Sequence, residues 1–452
     1  MSTGCLPDYA ALHKWELYSA NLSVEYQQLA DEGRTVGQYK SLVEEIMALP
    51  LGKAREDMAA SLAGLMQAGP VRGDYPYDEP SDLEGIRSRR RPSGLAFRPP
   101  EDLGALREKV EGAWLGRVAG CLLGKPLEGI RTDDLRYLLK ATGNDPLGRY
   151  ILQADLTDEI CGKVKFRLRG RCWADTIDSA PVDDDTNYTV LAAQLLEKHG
   201  RDFTPEDVAG VWLACQPKSA YCTAERVAFV NFVNGYLPPD SAVHKNPFRE
   251  WIGAQIRADY FGYINPGDPE AAAGMAWRDA SVSHVKNGVY GGMFVAAMLA
   301  CAAVSGDVKD VIAGGLAEIP ARSRLYAEVT ELLQMHTDGK TARDCIAWIH
   351  RRYDEHNQHH WCHTVSNALI VALALLYGEK DFGKTICLAV GCGFDTDCNG
   401  ATAGSVLGMM LGAAGIPAAW TRVFHGKLQT SIFGVGTVTV DDLADWTMKH
   451  MP

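Results

Sequence analysis

The chain has 452 residues, of which 46% are hydrophobic and 23% are charged, a composition typical of globular proteins and not of disordered ones. A formal net charge of -12 argues against binding to a nucleic-acid backbone, because that interaction requires clustered lysine and arginine residues. The length predicts one large domain with a smaller appended unit, and we expect a small molecule or a metal ion as the ligand.

The amino-terminal segment, the apolar segments and the cysteines indicate a cytoplasmic protein. The first residues, MSTGCLPDYAALHKWELYS, lack the basic region and following apolar run of a signal peptide. The apolar run at 291–304 is shorter than the roughly 20 residues that a membrane span needs, so we interpret it as a buried helix and expect no membrane partner. The 12 cysteines include no CxxC pair, which predicts reduced thiols.

A small helical unit is predicted at the start of the chain. Apolar residues recur with helical spacing between residues 8 and 70, for example at Leu12, Trp15 and Leu22. Residues 70–100 are rich in proline, glycine and charge, which is typical of an irregular connector. Its RSRRRP run, at 87–92, is interpreted as solvated, with a docking role as the alternative. We therefore predict an N-terminal extension and connector over 1–100 and a larger domain over 101–452.

The larger domain is predicted to be all-α. Period-two alternation is nearly absent, and only 163–171 and 431–440 are predicted as strands. The tryptophans Trp114, Trp173 and Trp212 are assigned to the core. The predicted helical segments, which are apolar and interrupted by glycine, proline or aspartate, are 106–124, 186–198, 222–235, 269–281, 289–304, 322–335, 364–376 and 399–413.

Three consecutive aspartates, Asp183, Asp184 and Asp185, stand directly before one of these helices. A single aspartate there is explained as a helix N-cap. Three in a row need a further explanation, because two carboxylates about 4 Å apart repel each other by roughly 1 to 4 kcal/mol. We therefore expect a positive group to offset the repulsion.

A second acidic run, GFDTDCNGATAG, places Asp395 and Asp397 at the start of another apolar helix. Two acidic helix starts in one chain suggest one shared cation site, and oxygen-rich ligation suits Mg²⁺ or Mn²⁺. The alternative is that the two runs are unrelated helix caps.

The segment GRVAGCLLGKPLEG, at 116–129, is the third notable element. It differs from a phosphate-binding loop in its spacing and in having Pro126 where a serine or threonine is required. The spacing of Gly116, Gly120 and Gly124 predicts close packing against another helix. Packing does not explain Glu128, which follows the proline.

Together and in this order, the three elements resemble the ADP-ribosylglycohydrolase family, which includes the dinitrogenase reductase-activating glycohydrolases. The resemblance covers roughly residues 106–425. It implies a compact all-α domain with two Mg²⁺ or Mn²⁺ ions that hydrolyses the bond between ribose C1 and an attached nitrogen or oxygen. The implied substrate is a ribosyl or ADP-ribosyl compound, free or attached to a modified protein. A nucleoside or ribosyl-metabolite hydrolase and an inactive homologue are the alternatives.

The resemblance also implies roles for individual residues. The catalytic residues it implies are Glu128, Asp184 and Asp397. The substrate-binding residues, which lie in GAQIR and SVSHVKNGVYGG, are Gly253, Gln255, Arg257, Ser283, His284 and Asn287. The metal ligands it implies are Asp183, Asp184, Asp185, Asp395 and Asp397.

Three positions depart from the family pattern and indicate a divergent branch. Asp183 stands where a hydroxyl residue is usual, and Cys121 replaces a common aspartate. Cys398 stands where a threonine or serine ligand is typical, and a thiol is a poor ligand for a hard cation. We expect that one ion is bound more weakly there, or through water.

A histidine-rich segment, HNQHHWCH, supports a different metal hypothesis. Its residues His356 and His360, like His359 and His363, have the spacing that places two ligands of a zinc ion on one helix face. We favour a polar helix start over a zinc site, because no HExxH motif is present.

Overall fold

The computed structural model describes residues 6–452, so the first five residues of the predicted extension lie outside the described residues. The prediction of an all-α protein is confirmed, since the described chain forms 24 α-helices and two short strands. The helices are α1 (Leu22–Asp31), α2 (Lys40–Ala48), α3 (Lys53–Gln67), α4 (Leu83–Ser88), α5 (Leu103–Gly124), α6 (Thr132–Ala141), α7 (Asp158–Lys163), α8 (Asp184–His199), α9 (Pro205–Cys215), α10 (Thr223–Val233), α11 (Asp240–Val243), α12 (Gly253–Arg257), α13 (Asp259–Tyr263), α14 (Pro269–Ala280), α15 (Lys286–Ala302), α16 (Val308–Leu316), α17 (Arg324–Thr337), α18 (Ala342–Arg352), α19 (Gln358–Cys362), α20 (Thr364–Tyr377), α21 (Phe382–Gly391), α22 (Thr396–Leu411), α23 (Ala418–Thr421) and α24 (Val440–Lys449).

The two strands form a small antiparallel hairpin. β1 (Lys427–Gln429) pairs with β2 (Thr437–Thr439), and Leu428 lies opposite Val438. β2 falls within the strand predicted at 431–440. The strand predicted at 163–171 is wrong, because that segment is the end of α7 followed by an irregular turn. Only Val164 and Leu168 are buried in this segment. The apparent alternation of polar and apolar residues came from lysines and arginines that are exposed.

Helices α1 to α3 share a small apolar core of their own. Leu22 and Leu29 of α1 pack with Val43 of α2 and with Leu62 and Met66 of α3, and all five are buried. This cluster is separate from the large core, which is built from α5 and the later helices. The periodicity of residues 8–70 therefore corresponds to a local three-helix unit.

Charged side chains attach this unit to the rest of the molecule. Arg249 contacts Glu25 Oε2 at 2.7 Å and Glu32 Oε1 at 2.8 Å, and all three residues are buried. In the connector, Arg90 forms an ion pair with Glu318, so part of the basic run docks onto the larger domain. Because buried charges are stable only when paired, these contacts fix where the unit sits.

Helices α5 and α22 approach each other at backbone distance. An added Cβ at Gly116 would overlap the carbonyl oxygen of Gly404, and one at Gly120 would overlap that of Gly400. Gly124 makes the same approach to Thr396. The glycines are therefore required by the helix crossing, and the predicted close packing is confirmed. The crossing brings the end of α5 next to the start of α22.

The apolar run at 291–304 lies in α15, where every residue from Asn287 to Ala302 is buried. The prediction of a buried helix is confirmed. Among the described residues, no helix has the length and apolarity of a membrane span. The core assignment of Trp114, Trp173 and Trp212 is also confirmed, since each is at most 2% exposed.

Candidate functional site

The two acidic runs and Glu128 meet at one place. Asp183 caps α8, Asp395 precedes the first residue of α22, and Glu128 follows the short turn at the end of α5. Because α5 and α22 touch through their glycines, these three chain segments converge. We call the resulting group the carboxylate cluster, and its members are Glu128, Asp183, Asp184, Asp185, Asp395 and Asp397.

Three sets of donor atoms that include cluster carboxylates have the spacing of metal ligands, and two of these sets share Asp397. One carboxylate oxygen from each of Glu128, Asp395 and Asp397 lies within 4.8 Å of the other two. Oxygens of Asp185 and Asp397 and the Sγ atom of Cys398 satisfy the same limit. Asp397 belongs to both sets, so they form two adjoining positions.

The buried carboxylates are strongly perturbed. Burial, with the neighbouring negative charges, raises the pKa of Asp185 and of Asp395 well above the ordinary value. Burial and the charge of Asp183 raise the pKa of Asp184 to about 7. Glu128 lies at the exposed rim, and the charge of Asp397 is the main cause of its raised pKa. The fully ionised cluster is therefore unfavourable unless cations compensate its negative charge.

Two carboxylate oxygens support a cation site directly. Asp185 Oδ2 and Asp397 Oδ1 are buried and have no hydrogen-bond partner, and their residues are 0% and 2% exposed. An unpartnered buried acceptor costs about 1 to 3 kcal/mol, and more when it is charged. The donor set is rich in carboxylates, so the residues present fit divalent cations.

Lys125 contributes a charge that the sequence analysis did not assign. Its ammonium forms an ion pair with Asp183 Oδ2, while Asp183 Oδ1 accepts the Asp185 N–H at 2.8 Å. Burial opposes both charges, but the pairing lowers the pKa of Asp183 and raises that of Lys125. Both oxygens of Asp183 thus accept a hydrogen bond, so a metal ion at Asp183 would compete with Lys125 for it.

Arg117 supports the start of α8 from beneath. Its guanidinium is fully buried, donates from Nε to the carbonyl of Asp185 at 2.8 Å, and donates from Nη1 to Asp259 Oδ2 at 2.8 Å. The role of Arg117 was not predicted from the sequence. The available signal was a single arginine among the small and apolar residues of the glycine helix.

The predicted substrate segments surround a different buried carboxylate, Glu225. Arg257 donates to Glu225 Oε1 and to Asp279 Oδ2, both at 2.5 Å, and to Ser283 Oγ at 2.9 Å. An added Cβ at Gly253 would overlap the Glu225 carboxylate. These side chains are therefore held in an internal ion-pair network and do not belong to the carboxylate cluster.

Three further predicted substrate residues are also buried. Gln255 has no hydrogen-bond partner for either amide atom, and His284 has none for Nε2. Burial and the charge of Arg257 lower the pKa of His284 well below its ordinary value. Asn287 donates to Glu250 Oε2 at 2.9 Å and to a connector glutamate. The substrate-binding role of all six residues stays a prediction.

The histidine-rich segment contacts the N-terminal unit. Donor atoms of His359, His363 and Asp31 lie within 4.8 Å of one another. However, Trp251 Nε1 donates to His359 Nδ1, and the Val365 N–H donates to His363 Nδ1, both at 3.1 Å. A neutral imidazole then carries its proton on Nε2, which is the nitrogen that a metal needs unprotonated.

This tautomer gives the segment an attachment role. His359 Nε2 lies 3.0 Å from Asp31 Oδ2 and donates to it. Burial opposes ionisation of Asp31, but this hydrogen bond lowers the pKa of Asp31 to about 2. The arrangement favours the polar helix start over the zinc alternative.

Two arginines flank Glu128 at the rim of the cluster. Arg171 Nη1 lies 3.4 Å from the Glu128 carbonyl, and its guanidinium sits 4.0 Å from the ring centroid of Phe166. Arg131 donates to the backbone of the same turn and lies 5.5 Å from the ring centroid of Trp361. Both arginines are half-buried.

The sequence of the chain matches a known protein family. The family model described as ADP-ribosylglycohydrolase matches residues 102–451. The chain belongs to the ADP-ribosylglycohydrolase family. The match includes every member of the carboxylate cluster, whereas α1 to α4 lie outside it. The resemblance stated from the sequence is confirmed.

One solved structure, described as an ADP-ribosylglycohydrolase-related protein complex, is similar to this chain with 16% sequence identity and a TM-score of 0.44. The similarity covers 77% of this chain and 98% of that chain. The search of curated proteins found no match.

Proposed function

We propose that this ADP-ribosylglycohydrolase family member is a metal-dependent hydrolase that cleaves the C1 glycosidic bond of ADP-ribosyl or related ribosyl conjugates. One observation carries the proposal. Glu128 and two acidic helix starts converge on a buried cluster, in which Asp185 Oδ2 and Asp397 Oδ1 lack any partner. Family membership supports the glycohydrolase chemistry.

Divalent cations, Mg²⁺ or Mn²⁺, are the proposed cofactor. Asp184, Asp185, Asp395 and Asp397 would hold two ions. When bound, such ions supply Lewis acidity and orient the ribose hydroxyls and a water. They also compensate the negative charge that raises the pKa values of these carboxylates.

The protein groups have separate proposed tasks. Glu128, at the rim, takes a proton from the attacking water, with Asp184 as the alternative base. The water oxygen bonds to ribose C1 as the C1–N or C1–O bond breaks, and the leaving group carries away the bonding electrons and gains a proton. The ribosyl group becomes cationic in this step, and the charge of Asp397 stabilises it.

The rim arginines favour ADP-ribosyl substrates over simple nucleosides. Arginine binds phosphate oxygens through paired N–H donors. Arg131 and Arg171 both donate to the backbone of the turn that carries Glu128, and each is supported by an aromatic ring. A diphosphate linked to the ribose could contact both guanidinium groups, whereas a nucleoside has no phosphate to offer them.

The N-terminal segment, residues 1–100, is proposed to be an extension attached to a catalytic domain of residues 101–452. The separate core of α1 to α3 and the buried ion pairs of Arg249 support this division.

The proposal is tested by assaying ADP-ribosyl-arginine, ADP-ribosyl-serine and simple nucleosides with and without Mg²⁺. The variant Asp395→Asn with Asp397→Asn keeps the size of both side chains and is expected to lose divalent-ion binding and hydrolysis. The exposed pair Asp441→Asn with Asp445→Asn on α24 is the matched control. If the cluster variant keeps both properties, the assignment is wrong. If wild type binds ADP-ribose without turnover, the inactive homologue is the correct alternative.

A further inference from the structure

The two adjoining positions of the carboxylate cluster differ in their donor atoms. Glu128, Asp395 and Asp397 offer only oxygen. The other position combines oxygens of Asp185 and Asp397 with the sulfur of Cys398. Hard ions such as Mg²⁺ prefer oxygen, whereas thiolate ligands select softer ions such as Zn²⁺. The two positions therefore have different metal preferences.

The residues of the sulfur-containing position include unused acceptors. Asp185 Oδ2 and Asp397 Oδ1 have no hydrogen-bond partner, and both residues are more than nine-tenths buried. Cys398 is 5% exposed and forms no disulfide. Two carboxylates that each have an unused oxygen, and one free thiol, thus lie together among buried residues.

Cys121, the other thiol near Asp185, is a weaker candidate ligand. Its Sγ atom lies within 4.8 Å of oxygens of Asp183 and Asp185. However, Asp183 already accepts from Lys125 and from the Asp185 N–H. The ammonium of Lys125 already supplies a positive charge on that side, so a second cation there would compete with it for Asp183.

We infer that the position formed by Asp185, Asp397 and Cys398 takes a thiophilic divalent ion such as Zn²⁺, while the all-oxygen position at Asp395 and Asp397 takes Mg²⁺ or Mn²⁺. The inference rests on the proposed metal-dependent function. On binding, the thiol of Cys398 releases its proton to solvent and coordinates as the thiolate. Asp397 bridges the two unlike ions.

The test uses the full chain freed of metal with a chelator and titrated with Co²⁺, a spectroscopic substitute for Zn²⁺. A thiolate-to-cobalt charge-transfer band in the near ultraviolet is expected to saturate at one ion per chain. Zn²⁺ is expected to abolish the band by displacement, and excess Mg²⁺ to leave it in place. X-ray absorption of the Zn²⁺ form is expected to include one sulfur at about 2.3 Å.

Three variants locate the sulfur ligand. Cys398→Ser is expected to lose the band and to weaken Zn²⁺ binding by at least about tenfold, without weakening Mg²⁺ binding, because serine offers a hard oxygen donor. Cys121→Ser is expected to keep the band. Cys345→Ser is the distant control, since Cys345 is buried beside the Tyr377 hydroxyl at 3.3 Å. The absorption experiment on wild type needs no variant to fold.

The outcomes separate this inference from the proposed function. Binding of Co²⁺ or Zn²⁺ with no sulfur ligand overturns the inference and leaves the metal-dependent hydrolase standing. A band that survives Cys398→Ser and disappears in Cys121→Ser also overturns it. If the wild-type protein binds no divalent ion at all, the inference and the proposed function fail together.

Discussion

The ammonium of Lys125 and the carboxylate of Asp183 form an ion pair at the edge of the carboxylate cluster. Asp183 is 3% exposed, so its charge depends on this partner. The pair explains how the cluster accommodates a third consecutive aspartate. Lys125 compensates Asp183, and the other carboxylates stay available for cations.

Replacing Lys125 is expected to make stability depend more strongly on divalent ions. Lys125→Met leaves Asp183 buried without a partner, which costs about 3 to 5 kcal/mol in the metal-free protein. Thermal unfolding is expected to show a lower Tm in chelator and a larger rise on adding Mg²⁺ than wild type. Lys125→Arg, which keeps the charge, is the control. An unchanged ion-induced rise in Lys125→Met would contradict the expectation.

The crossing of α5 and α22 is expected to tolerate no side chain at its centre. Gly120→Ala forces a methyl group against the carbonyl of Gly400 and should lower the free energy of unfolding by about 1 to 3 kcal/mol or more. Gly210→Ala, on α9 with open space around it, should instead raise it by about 0.5 to 1 kcal/mol. Urea unfolding measures both. Equal effects at the two sites would show that the crossing is looser than described.

The metal-free protein is expected to lose stability as pH rises from about 5 to 8. Burial raises the folded-state pKa of Asp184 to about 7 and that of Asp185 and Asp395 well above their ordinary value. A carboxyl whose pKa is raised on folding binds more protons in the folded state than in the unfolded state. Its contribution to the free energy of unfolding therefore falls as pH rises above the unfolded-state pKa. Burial raises the pKa of Glu225 to about 7 and adds to the same trend.

The measurement is Tm against pH in chelator and in saturating Mg²⁺. The ion is expected to flatten the slope by compensating the cluster. The folded-state pKa of Asp31 is about 2, so this residue stabilises the folded state at any pH above about 4. Its contribution is lost only in stronger acid and does not change between pH 5 and 8. A metal-free Tm that rises from pH 5 to 8 would refute the prediction.

The rim arginines are expected to determine affinity for phosphate-bearing substrates. Arg131→Ala with Arg171→Ala removes two charge-assisted contacts, each worth about 1.5 to 3 kcal/mol. KM for an ADP-ribosyl conjugate is expected to rise by at least about tenfold, with a smaller change in kcat. Turnover of any nucleoside substrate should be unaffected. An equal loss on both substrate classes would indicate a structural role for the arginines.

Removing Arg249 is expected to detach the N-terminal unit. Arg249→Met leaves Glu25 buried without its ion-pair partner and Glu32 paired only with Lys286, at a cost of about 3 to 5 kcal/mol. Limited proteolysis should then cleave the connector faster. Arg72→Met is the matched control, because its pair with Asp74 is exposed and contributes little. Wild-type resistance in Arg249→Met would mean that the remaining contacts are enough to hold the unit.

The helices could be predicted because their signals are local. The apolar stretch at 364–376 corresponds to α20 (Thr364–Tyr377), and the glycine spacing at Gly116, Gly120 and Gly124 led to the helix crossing that the structure contains. The strand predicted at 163–171 failed because a strand needs a neighbouring strand to pair with. Alternating charges within a single segment do not supply one.

The site was predicted in part. Four acidic residues at two helix starts were predicted as metal ligands, and the structure brings them together. They are Asp184, Asp185, Asp395 and Asp397. Lys125 and Arg117 were not assigned, because each pairs with a group about 60 or more residues away in the chain. The segments containing Arg257 and Ser283 were expected to face the substrate, but their side chains lie in an internal network around Glu225.

The sequence by itself determined the all-α class, the glycine contact and the acidic residues of the cluster, since periodicity, small residues and helix starts are properties of short segments. Only the tertiary structure decided which donors share a position. It brought Asp185 close to Asp397 and Cys398, and Lys125 close to Asp183. The reason is physical: charge compensation and metal ligation depend on distances of a few ångströms between segments, and these distances exist only once the helices have packed.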